Sequence, residues 1–198
     1  MVLDTNPWYY VTFLGDPRVW FSIAVIFFVA RIYSKHMKAP HFNWVGKFIL
    51  FSGFGAGTAF GASELLKHIF QIPRTCTEAT NVYCVGIGTL SFPSSHAAIA
   101  FAAFVGMLYL IKTSKKWSIF KTISYYGWIF IVPVFVGISR VMLGVHTLLD
   151  VVGGIVTGIL ISILFIEIII RIDFFKKSWL KPSILNKNTR LKQLSKRK

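Results

Sequence analysis

Charged side chains are scarce in this sequence, at 15% of 198 residues, and acidic ones are scarcest, with 7 Asp and Glu against 22 Lys and Arg. Beside 55% hydrophobic and 16% aromatic residues, so little charge excludes an ordinary soluble domain, and the length suits one domain. Cysteine is nearly missing too. The two present, Cys76 and Cys84, have no second Cys/His pair at metal-ligand spacing, so no metal and no other cofactor is expected. The N-terminus, "MVLDTNPWYYVTFLGDPRVW", lacks a basic stretch followed by an apolar core, so no cleavable signal peptide is read there. The deficit of acid leaves a net charge of +15. Such an excess fits nucleic acid, an anionic membrane surface or the cytoplasmic loops of a membrane protein.

Five apolar runs are present, at about Val19–Tyr33, Phe48–Leu66, Ala97–Ile111, Ile123–Ile138 and Leu148–Ile170. Five such runs leave no soluble core to bury them in. The fold class is therefore all-α, a polytopic transmembrane helical bundle of about five spans, with "NPWYYVTF" as an N-terminal interfacial segment. Gly153, Gly154 and Gly158 in the last run are spaced to let helices approach closely in lipid. Residues 1–171 read as the membrane-embedded domain and 172–198 as a basic tail.

The basic residues are distributed unequally. In a five-span arrangement only Arg18, Lys67, Arg74 and Arg140 fall on one side; every other Lys and Arg falls on the opposite one. The rich side is cytoplasmic by the positive-inside rule, which places the N-terminus outside and the tail inside. A plasma (inner) membrane is the expected location. The tail also suits a nucleic-acid arm, but its juxtamembrane place favours anionic lipid headgroups, and no nucleic-acid partner is expected. No feature sets an oligomeric state. Cys76 and Cys84 lie in the external loop between spans two and three. Two readings stand there, a disulfide worth about 2–3 kcal/mol in the chain-entropy model or a pair of free thiols.

The outer side, poor in basic residues, gathers reactive ones. Lys67 and Arg74 stand in "KHIFQIPR", Ser94, Ser95 and His96 in "SFPSSHAAIA", and Ser139, Arg140, His146 and Asp150 in "SRVMLGVHTLLD". All lie at the outward ends of spans two to five, where the helix ends can converge. Three cations, hydroxyls, two imidazoles and a carboxylate make a site for an anion. Ser94 or Ser95 can cap the helix that "PSSH" precedes, whose free N–H groups favour a phosphate. Asp150, four residues after His146, can hold one ring nitrogen and leave the other as a nucleophile. A phosphate ester matches the arginine fork, and its transfer needs mainly positioning and charge. Glu64 reads as the ion-pair partner of Lys67, though a carboxyl at that depth also invites a functional role. Glu167 reads as that of Arg171, and His68, His36 and His41 as structural or surface residues.

In order, Lys67-x6-Arg74, "PSSH" and Ser139-Arg140-x5-His146-x3-Asp150 resemble the type 2 phosphatidic acid phosphatase (lipid phosphate phosphatase) superfamily, whose pattern is KxxxxxxRP, PSGH and SRxxxxxHxxxD. The resemblance covers about Lys67 to Asp150. It departs at Thr75, where the pattern has proline, and at Ser95, where it has glycine; Pro73 still predicts a helix end before Arg74. The resemblance implies a metal-independent phosphatase. In it His146 forms a phosphohistidine, Asp150 orients His146, and His96 protonates the leaving oxygen. Lys67, Arg74, Ser94, Ser95 and Arg140 hold the phosphate. The expected partner is a membrane lipid: polyprenyl diphosphate first, then phosphatidate, phosphatidylglycerol phosphate or lipid A. Lipid-to-lipid phosphotransfer and non-enzymatic anion binding or transport are the alternatives, and the His146–Asp150 pair favours catalysis over transport.

Overall fold

The computed structural model describes residues 6–36, 46–76, 82–84, 90–113 and 119–172. The basic tail after Ile172 and the lysines at 38, 115 and 116 lie outside the described residues. Asn6 opens the described chain by capping α1 (Pro7–Thr12), its Oδ1 accepting from Trp8 N at 3.1 Å, with Pro7 pre-set for the first helical position. A 3₁₀ turn, Phe13–Gly15, leads to α2 (Pro17–His36). Next come α3 (Gly46–Phe70), α4 (Ser95–Thr113), α5 (Ile119–Met142) and α6 (Leu148–Arg171). By length and composition α3, α4 and α6 can each cross a membrane. Pro7–Gly15 and Pro17–Ala30 qualify together across a 55° bend, and α5 adds a shorter apolar stretch, Ile129–Met142.

Side-chain placement is inverted relative to a soluble protein. Phe21, Ile26, Leu148, Leu149 and Leu160 face outward, whereas Ser52, Ser63, Lys67, Ser139, Arg140, His146, Asp150 and Ser162 are buried. An apolar exterior around a polar interior suits lipid as solvent, because intramembrane polar groups turn to the bundle interior. The chain is an integral membrane protein.

The centre of the bundle is α4. Its run from Ala97 to Ala103 is buried throughout, and most of it is alanine, so neighbours pack close to its backbone. Gly158 of α6 lies against the Ala98 carbonyl, where any Cβ would collide. On the other side, a π-helical turn in α3 (Ile49–Phe54) presents the Phe51 backbone to Gly106 with equal closeness. Dispersion at such approaches, rather than hydrophobic transfer, holds helices together in lipid. Away from the reactive residues, Leu50, Phe51, Leu110, Ile166 and Ile169 form the main apolar cluster.

Helix ends then set the other pole. Gln71, left-handed at φ 50°, ψ 32°, terminates α3 and returns its N–H to Lys67 O at 2.8 Å. The chain beyond pairs with the start of α4: Pro73 bridges Leu90, and Ser91 N donates to Ile72 O at 2.8 Å. The end before Arg74 expected from Pro73 is thus found. Gly144, at φ 66°, closes α5 in a turn that folds the N–H groups of Val145 and His146 back onto Arg140 O, each at 3.2 Å. Cys76 and Cys84 are joined as a disulfide, with Cα atoms 6.4 Å apart, and Cys84 packs beneath this turn on Leu143 and Val145.

Candidate active site

His146 precedes α6 rather than lying in it. Thr147 is the N-cap, its Oγ1 accepting from Asp150 N at 3.2 Å while its own N–H donates to Asp150 Oδ2 at 2.8 Å. This capping box folds the Asp150 side chain back, so that Oδ2 comes within 3.5 Å of His146 Nδ1. Both side chains are almost wholly buried. Ser91 completes the pair: its hydroxyl donates to Asp150 Oδ2 at 2.6 Å and lies 3.3 Å from His146 Nδ1.

The opposite ring nitrogen meets Arg74, whose Nη1 is 3.2 Å from His146 Nε2 and 2.7 Å from Val145 O. A guanidinium only donates, so Nε2 is the acceptor and the ring proton sits on Nδ1, facing Asp150 and Ser91. Burial drives the His146 pKa down from 6.5 to about 4; the bond to Asp150 opposes this and the Arg74 charge adds to it. The imidazole is therefore neutral at physiological pH, with an unprotonated Nε2. Arg74 also has its pKa lowered, by burial first, while the Asp150 charge opposes the change.

His146 lines a polar cavity of about 530 Å³, together with Lys67, Arg74, Ser95, His96 and Arg140 among others. Six of the eight residues predicted for catalysis and phosphate binding thus surround one space. Asp150 stands behind His146. Ser94 is the exception: it is fully buried, its hydroxyl is unpartnered among the described residues, and it does not line the cavity. Nor does that hydroxyl cap α4; the backbone does the work, Ser94 O accepting from Ala98 N at 3.0 Å and Ser94 N donating to Asp150 O at 2.9 Å. Ser95, one residue on, opens α4 toward the cavity.

Glu64, Lys67 and Ser95 form a cluster. The carboxylate Oε1 accepts from Lys67 Nζ at 2.7 Å and from Ser95 Oγ at 2.6 Å, and Nζ is 2.6 Å from the same hydroxyl. Ser95, standing at the glycine of PSGH, therefore gains two partners. Arg140 is fixed from another direction, its Nη1 donating to Thr12 Oγ1 at 2.6 Å across 128 residues of chain. Its Nε is buried with no partner among the described residues, an unsatisfied donor on a side chain that lines the cavity. The 3₁₀ turn after α1 closes this wall, with Gly15 against the His96 backbone and Val136.

Sequence reasoning missed Ser91, Thr12 and Asp16. Ser91 begins the stretch that carries the second motif, so its position was a usable signal; Thr12 carried none. Asp16 lines the cavity and accepts from Arg18 Nε at 3.0 Å and Nη2 at 2.7 Å, a bond that lowers its pKa. His68, expected as a structural or surface residue, is exposed and also lines this cavity. Among the described residues no three His, Cys, Asp or Glu side chains converge as metal ligands would.

Comparison with known proteins bears on the family and the fold. The family model of the PAP2 superfamily matches residues 46–172. The fold is similar to that of a transmembrane PAP2 type phosphatidylglycerolphosphate phosphatase from Bacillus subtilis, with a TM-score of 0.57 and 26% identity over 84% of this chain and 79% of that one. It is also similar to the fold of Aquifex aeolicus LpxE, with a TM-score of 0.53 and 23% identity over 81% of this chain and 83% of that one. A sequence search of curated proteins returns no significant match.

Proposed function

This chain belongs to the PAP2 superfamily of membrane phosphatases, and we propose that it hydrolyses a lipid phosphate or diphosphate through a phosphohistidine on His146, without a metal. The observation that supports this reading best is the setting of His146: Nδ1 faces Asp150 and Nε2 faces Arg74, and His146 and Arg74 both line the cavity.

The steps follow from the residues present. A phosphate in the cavity displaces Arg74 from Nε2 as its oxygens take the guanidinium. Arg140, with an unused Nε, and Lys67, with Ser95, hold the remaining oxygens. The Nε2 lone pair attacks phosphorus in line while the bond to the leaving oxygen breaks. Asp150 stabilises the imidazolium charge that develops on attack. His96 gives its proton to the leaving oxygen. Water then attacks the phosphohistidine, His96 takes a proton from it, and orthophosphate leaves with His146 restored. The set supplies positioning and charge, the two requirements of phosphoryl transfer.

By the positive-inside rule the site faces outward, in the plasma or inner membrane. Polyprenyl diphosphate is the first candidate substrate. Phosphatidylglycerol phosphate is the second, on the likeness to the Bacillus subtilis enzyme. The test is phosphate release by detergent-purified protein, in chelator, from polyprenyl diphosphate, phosphatidate, phosphatidylglycerol phosphate and a soluble ester. Release in chelator that His146→Ala abolishes is the expected result. Release at the wild-type rate from that variant would refute the mechanism; consumption of the lipid phosphate only with an added lipid alcohol, which becomes phosphorylated while no orthophosphate is released, would favour transfer.

A further inference from the structure

A second cavity, of about 750 Å³, lies between α2 and α3 and is lined almost entirely by apolar groups, including Trp20, Phe28, Ile49 and Ile99. It adjoins the polar cavity, because Pro17, Arg18 and Phe60 line both. A lipid phosphate has this shape: a charged end, a neck and a hydrocarbon tail. The neck holds a cation. The Arg18 side chain is 84% exposed, while Asp16 beneath it is 9% exposed and grips only Nε and Nη2. Among the described residues no partner takes Nη1, which is left for a ligand.

We propose that the groove between α2 and α3 holds the hydrocarbon tail of the substrate and that Arg18 binds a second phosphate between tail and reacting phosphorus, making it the residue that selects lipid diphosphates over monophosphates. This rests on the phosphatase reading above and specifies its substrate. When Nε2 of His146 attacks the terminal phosphorus, the bond to the bridging oxygen breaks and that oxygen keeps the electron pair. The product is a lipid monophosphate whose new charge develops at the neck. Arg18, held in a fixed fork by Asp16, offers a charge-assisted hydrogen bond there. A monophosphate lipid places an uncharged carbon–oxygen link at the same point and gains nothing from the guanidinium. Residues 6–36, which supply Arg18, lie outside the stretch that the superfamily model matches, so substrate choice is contributed by a part of the chain beyond the shared catalytic one.

The experiment compares farnesyl diphosphate with farnesyl monophosphate, which share one tail, as substrates of the detergent-purified full chain. In the wild type the diphosphate has the higher kcat/KM. Arg18→Gln should lower the ratio of the two values by about tenfold, the loss of one charge-assisted bond, and Arg18→Lys should recover part of it. An unchanged ratio in Arg18→Gln overturns the assignment of Arg18 while leaving the phosphatase intact. No turnover of either compound by the wild type overturns the phosphatase reading and this inference with it. The groove has its own test in Gly57→Leu, at a position that lines it and where a Cβ meets nothing within 4 Å. Turnover of farnesyl diphosphate should fall about tenfold relative to that of isopentenyl diphosphate. Equal turnover ratios in this variant and the wild type would remove the tail from the groove.

Discussion

Arg74 and His146 lie 72 residues apart in sequence, and the guanidinium Nη1 stands 3.2 Å from the imidazole Nε2. One cation thus occupies the face of the nucleophile where phosphorus must arrive. The contact fixes the tautomer before substrate binds and supplies the charge that the incoming phosphate exchanges for it. Arg74→Lys keeps the charge but loses the planar guanidinium, whose Nη1 reaches both Val145 O and His146 Nε2. It should lower kcat/KM by about 10²-fold and weaken competitive inhibition by orthophosphate in parallel. Steady-state kinetics with a soluble ester check both, and a change in kcat/KM without a change in phosphate inhibition would separate Arg74 from phosphate binding.

The pH profile follows from His146. The neutral imidazole attacks; the protonated one cannot. Its pKa, lowered by burial to about 4, extends the neutral form downward in pH, so the acid limb should lie near pH 4, with a separate basic limb where His96 loses the proton it must give. Asp150→Asn removes the bond that opposes this lowering and should move the acid limb lower still, with a reduced plateau. Measured kcat/KM against pH decides. An acid limb near the ordinary histidine value of 6.5 would contradict the buried, Arg74-capped ring.

Thr12 reaches Arg140 from the N-terminal segment at 2.6 Å. Thr12→Val conserves shape and removes the hydroxyl, leaving a buried guanidinium with one donor fewer satisfied. A loss of about tenfold in kcat/KM is expected, with recovery in Thr12→Ser. Failure of serine to restore activity would indicate packing rather than the hydrogen bond.

The legible parts of the site were those written as polar letters in an apolar background. Lys67, Arg74, Ser95, His96, Arg140 and His146 stood out because intramembrane ionisable groups need a reason, and all line one cavity. The five apolar runs correspond to α2–α6, with ends displaced by a few residues. Hydropathy alone ends the second run at Leu66, but α3 continues through Lys67 and His68, since the left-handed Gln71, rather than the loss of hydropathy, ends it. Ser94 and Ser95 are indistinguishable in sequence, and only the start of α4 decides which hydroxyl faces the cavity. Thr12, Ser91 and the π turn of α3 depend on tertiary contact and had no local pattern to announce them.

Packing at Gly158 has a sharp consequence. A side chain there meets the Ala98 carbonyl with no flexible atom to yield. Gly158→Leu should separate α6 from α4, move Asp150 away from Ser94 N, and destabilise the protein by about 3 kcal/mol or more. Thermal unfolding in detergent measures this; a Tm equal to that of the wild type would show that the helices pack elsewhere.

The most direct measurement is chemical trapping of the intermediate. Wild-type protein turning over a lipid phosphate in chelator, quenched in alkali where phosphohistidine survives, would be digested and read by mass spectrometry. A phosphoryl group on His146, absent from His146→Gln and accumulating when His96→Ala slows the water step, is the predicted result. Turnover with His146 unmodified, or the phosphoryl group found on another residue, would contradict the assignment of His146 as the nucleophile.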